Sequence, residues 1–174
     1  MLKAISEAHI KRQTVREPLI TPLNNTPLKD QSISKNTIQD QTEVTVRFNE
    51  ADPLGVVWHG HYLRYFEDGR ESFGKKYGVT YLDFYNQGFA VPVVSIHCEF
   101  KKPLRYGASV FVETNYISSP AAKLIFEYKI FETKSNDLVA VGNSVQVFVD
   151  FKTFDLHMTV PLFFQQWKEK WNLK

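Results

Sequence analysis

One stretch of this chain carries an apolar stripe at helical spacing, and the residues beyond it mostly alternate between apolar and polar. Tyr62, Phe66, Gly69, Phe73 and Tyr77 recur every three or four residues, while Arg64, Glu67, Asp68, Glu71 and Lys75 fall mostly on the other side. This pattern predicts one amphipathic helix that closes near Gly78. Gly69 on the apolar stripe predicts close contact between the helix backbone and its packing partner. Before the helix, Val44, Val46 and Phe48 alternate with Thr45 and Arg47 from Glu43 onward, the period-2 signature of a half-buried strand. After it come Val94 to Phe100, Val110 to Tyr116, Leu124 to Ile130, and a run from Val139 to Phe151 long enough to bend. Turn residues at Tyr106-Gly107, Ser118-Ser119-Pro120 and Ser135-Asn136-Asp137 predict antiparallel connections. Pro161 starts a final helix containing Phe164, Trp167 and Trp171. One strand, one long helix and four strands predict an α+β fold in which an antiparallel sheet uses a single helix to cover one face.

Residues 1–40 read differently. Leu2, Ile5, His9 and Ile10 mark one face of a short helix, but Pro18, Pro22, Pro27 and Asn24-Asn25 break regular structure. The chain thus divides into an N-terminal extension, 1–40, serving as a tail or docking arm, and a domain, 41–174. The 174 residues favour one domain over two full-sized ones. The first 40 residues carry a net charge of +2 and the remainder none, so the body has no basic excess to replace phosphate counterions, and nucleic acid is not an expected partner. No run of about 18 apolar residues predicts a membrane span. No secretory leader pattern is expected at the N-terminus, and the single Cys98 admits no internal disulfide, so a reducing cytoplasm is expected.

The candidate chemistry lies between the first strand and the long helix. The segment Phe48-Asn49-Glu50-Ala51-Asp52-Pro53-Leu54-Gly55-Val56-Val57-Trp58-His59-Gly60-His61-Tyr62 sets a carboxylate in a loop just ahead of a helix that opens near His59. Free backbone N–H groups and the positive end of the helix dipole are then available beside Asp52. Acyl transfer to water needs a base or nucleophile together with donors aimed at the developing oxyanion, and such a loop supplies both.

Phe48, Asp52, Gly55, Val56, Val57, Trp58, His59 and Tyr62 match an aromatic-x-D-x-D-x-x-G-V-V/I-aromatic-H/Y-x-x-Y pattern, with Glu50 at the first acidic position. The segment thereby resembles the signature of hot-dog-fold thioesterases of the 4-hydroxybenzoyl-CoA and YbgC-like acyl-CoA group, and the resemblance covers about residues 43–165. It implies a curved antiparallel sheet wrapped around one long helix, with subunits joined edge to edge as a homodimer or homotetramer. An acyl-CoA or acyl carrier protein thioester would be the substrate, without any cofactor. It also implies that Asp52 attacks the thioester carbonyl or activates water, and that the His59 backbone N–H polarises the carbonyl oxygen, the His59 side chain ranking second. Gly55, Val57, Trp58 and Tyr62 would line the substrate site. Where some members hold the CoA phosphates with basic residues, Ala121 and Ala122 leave Lys123 as the nearest match.

Plainer roles compete for several of these residues. Asp52 before Pro53 also suits a turn or a helix cap. Glu50 is expected to be a solvated loop carboxylate, and Tyr62, Tyr65 and Phe66 suit the core or an interface. Cys98 lies on the apolar phase of its strand as a small packing residue, and Ser95 has no nucleophile elbow. His59-Gly60-His61 lacks partners at metal-ligand spacing, so no metal is expected. A non-catalytic acyl-thioester binding protein or oligomeric scaffold of the same fold is the alternative function.

Overall fold

A computed structural model describes residues 37–173. The short helix expected near Leu2–Ile10, and the docking-arm role of Leu19, Ile20, Leu23 and Leu28 that their apolar side chains would suit, lie outside the described residues.

Five strands form one antiparallel sheet: β1 (Thr37–Thr45), β3 (Val93–Phe100), β4 (Ser109–Ile117), β5 (Lys123–Glu132) and β6 (Leu138–Val147), in the order β1-β4-β5-β6-β3. The two short strands β2 (Phe89–Ala90) and β7 (Val149–Asp150) pair separately. Helix α1 (His61–Tyr77) covers one face of the large sheet, α2 (Tyr81–Asn86) follows it, and α3 (Leu162–Lys170) closes the described part of the chain. This is the α+β arrangement expected, with one large antiparallel sheet and one long central helix.

Alternation explains the sheet's core face. Along β4, Val110, Val112, Thr114 and Tyr116 are buried, as are Leu124, Phe126, Tyr128 and Ile130 along β5. The α1 stripe packs on them: Phe66 stacks on Tyr128 with centroids 4.3 Å apart, and Phe73 meets Phe126 edge-on at 5.4 Å. At Gly69 an added Cβ would run into Thr114 Oγ1 and Val112 Cγ1, so the bare backbone lets the helix approach β4 closely. Polar bonds fix the helix's second half on the sheet edge: the Ser72 hydroxyl and Lys76 ammonium donate to Asp40 at 2.7 and 2.9 Å.

The structure departs from the expected strands at three places. β1 spans Thr37–Thr45, its whole length paired with β4, although all but Ile38 of its first seven residues are polar. Val46 is core, but Phe48, next in the alternation, is 80% exposed in a single 3₁₀ turn, Phe48–Glu50. The predicted run from Val139 to Phe151 divides at Phe148, which is fully buried while β7 turns away to join β2. Helix α2, absent from the sequence reading, starts in a reciprocal capping box: the Asp83 N–H donates to Thr80 Oγ1, and the Thr80 N–H donates to the Asp83 carboxylate.

Strand β3 is an edge of the large sheet, and Val94, Ile96 and Phe100 on its apolar phase stay substantially exposed. Cys98 of the same phase is half-buried against the core, and burial pushes its thiol up to about 11. A thiol held in that form is a packing group rather than a nucleophile.

Candidate active site

The loop joining β1 to α1 is a small hairpin-like excursion. Ala51 bridges Val57, and the Asp52 N–H donates to the Val56 carbonyl at 2.8 Å. At its tip the Gly55 N–H donates back to the Asp52 carbonyl at 2.9 Å, and Gly55 has φ +72°, a left-handed conformation that a side chain would strain. Asp52 Oδ1 accepts the Leu54 N–H at 2.9 Å and the Val56 N–H at 3.4 Å. The turn role is therefore real, but it uses one oxygen; Oδ2 takes no hydrogen bond among the described residues.

The other end of the excursion leads into the helix. Val57 and Trp58 donate their N–H groups to the carbonyls of Leu104 and Glu50, at 2.8 and 2.9 Å. The next two residues, His59 and Gly60, donate to no described residue. Gly60 caps α1 without any side-chain bond, and the first helical N–H groups, those of His61 and Tyr62, turn back to the Trp58 and His59 carbonyls at 2.9 and 3.4 Å, so the available donors are those of His59 and Gly60 just ahead of the helix. The Trp58 ring lies over Gly60, where an added Cβ would collide with it, and stands 4.5 Å from the His59 ring.

Glu50 corrects the sequence reading. It is 2% exposed, not solvated. Its Oε2 accepts the Arg47 N–H and the Tyr65 hydroxyl, both at 2.8 Å, and Oε1 lies 3.6 Å from Arg64. With its own carbonyl holding Trp58, Glu50 ties both ends of the loop to α1. Burial, and then the bond to Glu50, raise the Tyr65 phenol above its usual range. That stabilising contribution is complete below a phenol's ordinary value near 10 and fades as pH climbs above it, because the unfolded chain then releases its proton first. Glu50→Leu strands the Tyr65 hydroxyl and the Arg47 N–H; the expected loss is about 2–3 kcal/mol of stability, read from the denaturant midpoint.

A cleft of about 270 Å³ opens where the start of α1 meets the end of β3; Val56, Val57, His59, Tyr62, Phe100, Lys101, Lys102 and Pro103 line it. Thus Val57, His59 and Tyr62 come together as expected. Asp52 and Gly55 sit on the adjoining loop rather than on the cleft wall, and Trp58 flanks the cleft beside His59. Tyr62 is also core, 3% exposed, its hydroxyl accepting the Leu104 N–H at 3.4 Å, and burial raises its phenol.

Lys123 lies apart from this cleft. It starts β5, whereas Ile130, seven residues on, is the β5 residue whose β6 partner Ala140 pairs with Phe100 at the cleft. At about 3.3 Å per residue, roughly 23 Å separate them along one chain. The cations beside the cleft are Lys101 and Lys102, which sequence reasoning missed; they pair with Glu99 at 2.6 Å and Asp137 at 2.7 Å. The signal that could have found them is the basic pair ahead of Pro103, a pattern that equally suits a turn. Among the described residues no three His, Cys, Asp or Glu side chains converge as a metal site.

Comparison with known proteins adds a family to this geometry. The family model of the thioesterase-like superfamily matches residues 46–168. YneP of Bacillus subtilis (strain 168), whose name carries acyl-CoA thioesterase as a provisional assignment, is 34% identical over 112 residues, 64% of this chain and 80% of its own length. The chloroplastic acyl-acyl carrier protein thioesterase ATL3 of Arabidopsis thaliana is 27% identical over 112 residues, 64% of this chain and 59% of its own. The crystal structure of DHNA-CoA thioesterase from Staphylococcus aureus superposes with a TM-score of 0.70 at 28% identity, covering 77% of this chain and 89% of that one.

Proposed function

This chain belongs to the thioesterase-like superfamily, with its hot-dog fold, and on that premise we propose that it hydrolyses an acyl-CoA or acyl carrier protein thioester to the free acid and thiol. The observation that carries the reading is the loop from Asp52 to Gly60: a carboxylate with one oxygen anchored and the other unengaged, followed by His59 and Gly60 just ahead of α1, whose N–H groups have no described partner. The His59 N–H receives the carbonyl oxygen as negative charge develops on it. The Asp52 carboxylate then either attacks the carbonyl carbon, expelling the thiolate and leaving an anhydride for water to open, or takes a proton from the attacking water. Both routes end in one carboxylic acid and one thiol. The cleft beside His59 and Tyr62 takes the reacting thioester, and Lys101 and Lys102 at its wall favour an anionic thiol carrier.

Release of free thiol from a panel of acyl-CoAs and acyl carrier protein thioesters tests the reading. Steady turnover on at least one member is expected. Binding of several with turnover on none would instead favour the non-catalytic scaffold.

We further propose a homo-oligomer of at least two subunits, working in the cytoplasm. The exposed Val94, Ile96 and Phe100 line an edge strand, and native proteins cover or pair such edges. Sedimentation at micromolar concentration should give a species of at least about 40 kDa, twice the chain mass of 20.2 kDa. A 20.2 kDa species alone would remove the edge-to-edge assembly.

A further inference from the structure

The Arg70 guanidinium on α1 is only 8% exposed, yet no carboxylate pairs with it among the described residues. Its partners are neutral. Nη1 donates to the Tyr128 hydroxyl at 2.9 Å, and Nε donates to the Tyr81 hydroxyl at a long 3.4 Å. A guanidinium carries five N–H donors, so most of its capacity is unused, and buried charges are ordinarily paired. This one instead faces a cavity.

That cavity, about 20 Å³, lies between α1, α2 and the sheet, with Arg70, Tyr81, Phe84, Val91, Phe126 and Gln146 on its wall. Phe84, Val91 and Phe126 make most of it apolar. Glu71 also borders it, but that carboxylate is half-exposed and neutralised by Lys75 four residues on. Such a volume admits about one water, so an organic ligand requires a wall to move. Tyr81 is the wall least held. It is 43% exposed at the start of six-residue α2, and its hydroxyl bonds to Arg70 and Gln146 both stand at 3.4 Å.

We propose that this cavity is a carboxylate-binding site: the Tyr81 side chain swings aside, and Arg70 receives a carboxylate whose short apolar body lies against Phe84, Val91 and Phe126. Two parallel bonds to a charged acceptor then replace one long bond to a neutral hydroxyl on the guanidinium. The carboxylate belongs either to a free carboxylic acid or to the far end of an acyl group. The second source rests on the proposed thioesterase activity. Gln146 pairs with Val93 at one end of β3, and the cleft lies at its Phe100 end. Antiparallel pairing of two β3 edges would therefore set the cleft of one subunit beside the cavity of its partner.

Calorimetry on the full-length protein with hexanoate and its neutral isostere hexanamide tests the site. Hexanoate should bind, and hexanamide at least about tenfold more weakly, because it forfeits the charged fork. Arg70→Gln should abolish the difference, while Tyr81→Phe, which removes the competing acceptor from an exposed position, should tighten hexanoate severalfold. Equal affinity for acid and amide, absence of millimolar hexanoate binding, or unchanged binding in Arg70→Gln would overturn the proposal. Should circular dichroism find Arg70→Gln unfolded, Tyr81→Phe decides, and unchanged or weaker hexanoate binding there overturns it. Hydrolysis then separates the sources. Preference for adipyl-CoA over hexanoyl-CoA that disappears in Arg70→Gln assigns the carboxylate to the substrate, whereas hexanoate inhibition without that preference assigns it to a free acid. Turnover of no thioester would defeat the proposed activity while the calorimetry still decides the site.

Discussion

Asp52→Asn should lower kcat on the best panel substrate by roughly 10²-fold or more while the protein stays folded and still binds thioester. The geometry separates the two roles of this side chain. Asparagine keeps an oxygen at the Oδ1 position, so the bonds from the Leu54 and Val56 N–H groups persist and the turn around Gly55 keeps its shape. What changes is the unengaged oxygen, replaced by an amide nitrogen that neither attacks a carbonyl nor accepts a proton from water. A residue serving only the turn would lose almost nothing, because Asn and Asp suit such turns about equally. Single-turnover kinetics beside a binding measurement distinguish these outcomes, with circular dichroism reporting the fold. Near-wild-type turnover in a folded variant would remove Asp52 from the chemistry. Replacing the His59 side chain should cost less, since most residues present the same backbone N–H at that position.

How much of the fold was legible in the sequence depends on how far each signal reaches. The α1 stripe and the alternation of β4 and β5 are repeated local patterns, and each repeat adds weight to the same face. Thr80 and Asp83 spelled a capping box, but six residues make too few turns for helical periodicity, so α2 was overlooked. Phe48 continued the alternation in sequence and left it in space, because the Glu50 carboxylate draws the Arg47 N–H into a 3₁₀ turn. Glu50 itself reads as an ordinary loop acid until Tyr65, fifteen residues away, is seen to bond it. The site divides the same way. Asp52, Val57, His59 and Tyr62 lie in one continuous motif and were found together, whereas Phe100, Lys101 and Lys102 reach the cleft only because the fold brings the end of β3 beside the start of α1.

The largest expected loss of stability is at Phe73, on the fourth turn of α1. Its side chain is fully buried, 4.5 Å from the Tyr77 ring, 5.4 Å from Phe126 and 6.3 Å from Tyr116, measured between centroids. It therefore joins the helix to β4 and β5 at once, and Tyr116 in turn carries the contact to Trp167 of α3 at 5.3 Å. Phe73→Ala removes the ring and leaves a void that these partners fill only partly, since α1 is already held against β4 at Gly69 and tied to β1 through Asp40. The expected cost is about 3–5 kcal/mol, the range for deleting a buried phenyl group. Domains of ordinary stability hold about 5–15 kcal/mol in all, so the variant should unfold at a markedly lower denaturant concentration with an unchanged m-value. Phe73 lies more than two helical turns beyond the helix start, so at temperatures where the variant is folded its kcat should stay close to wild type. A loss of turnover in the folded variant would mean that the aromatic core beneath α1 positions the His59 N–H directly, beyond holding the fold together.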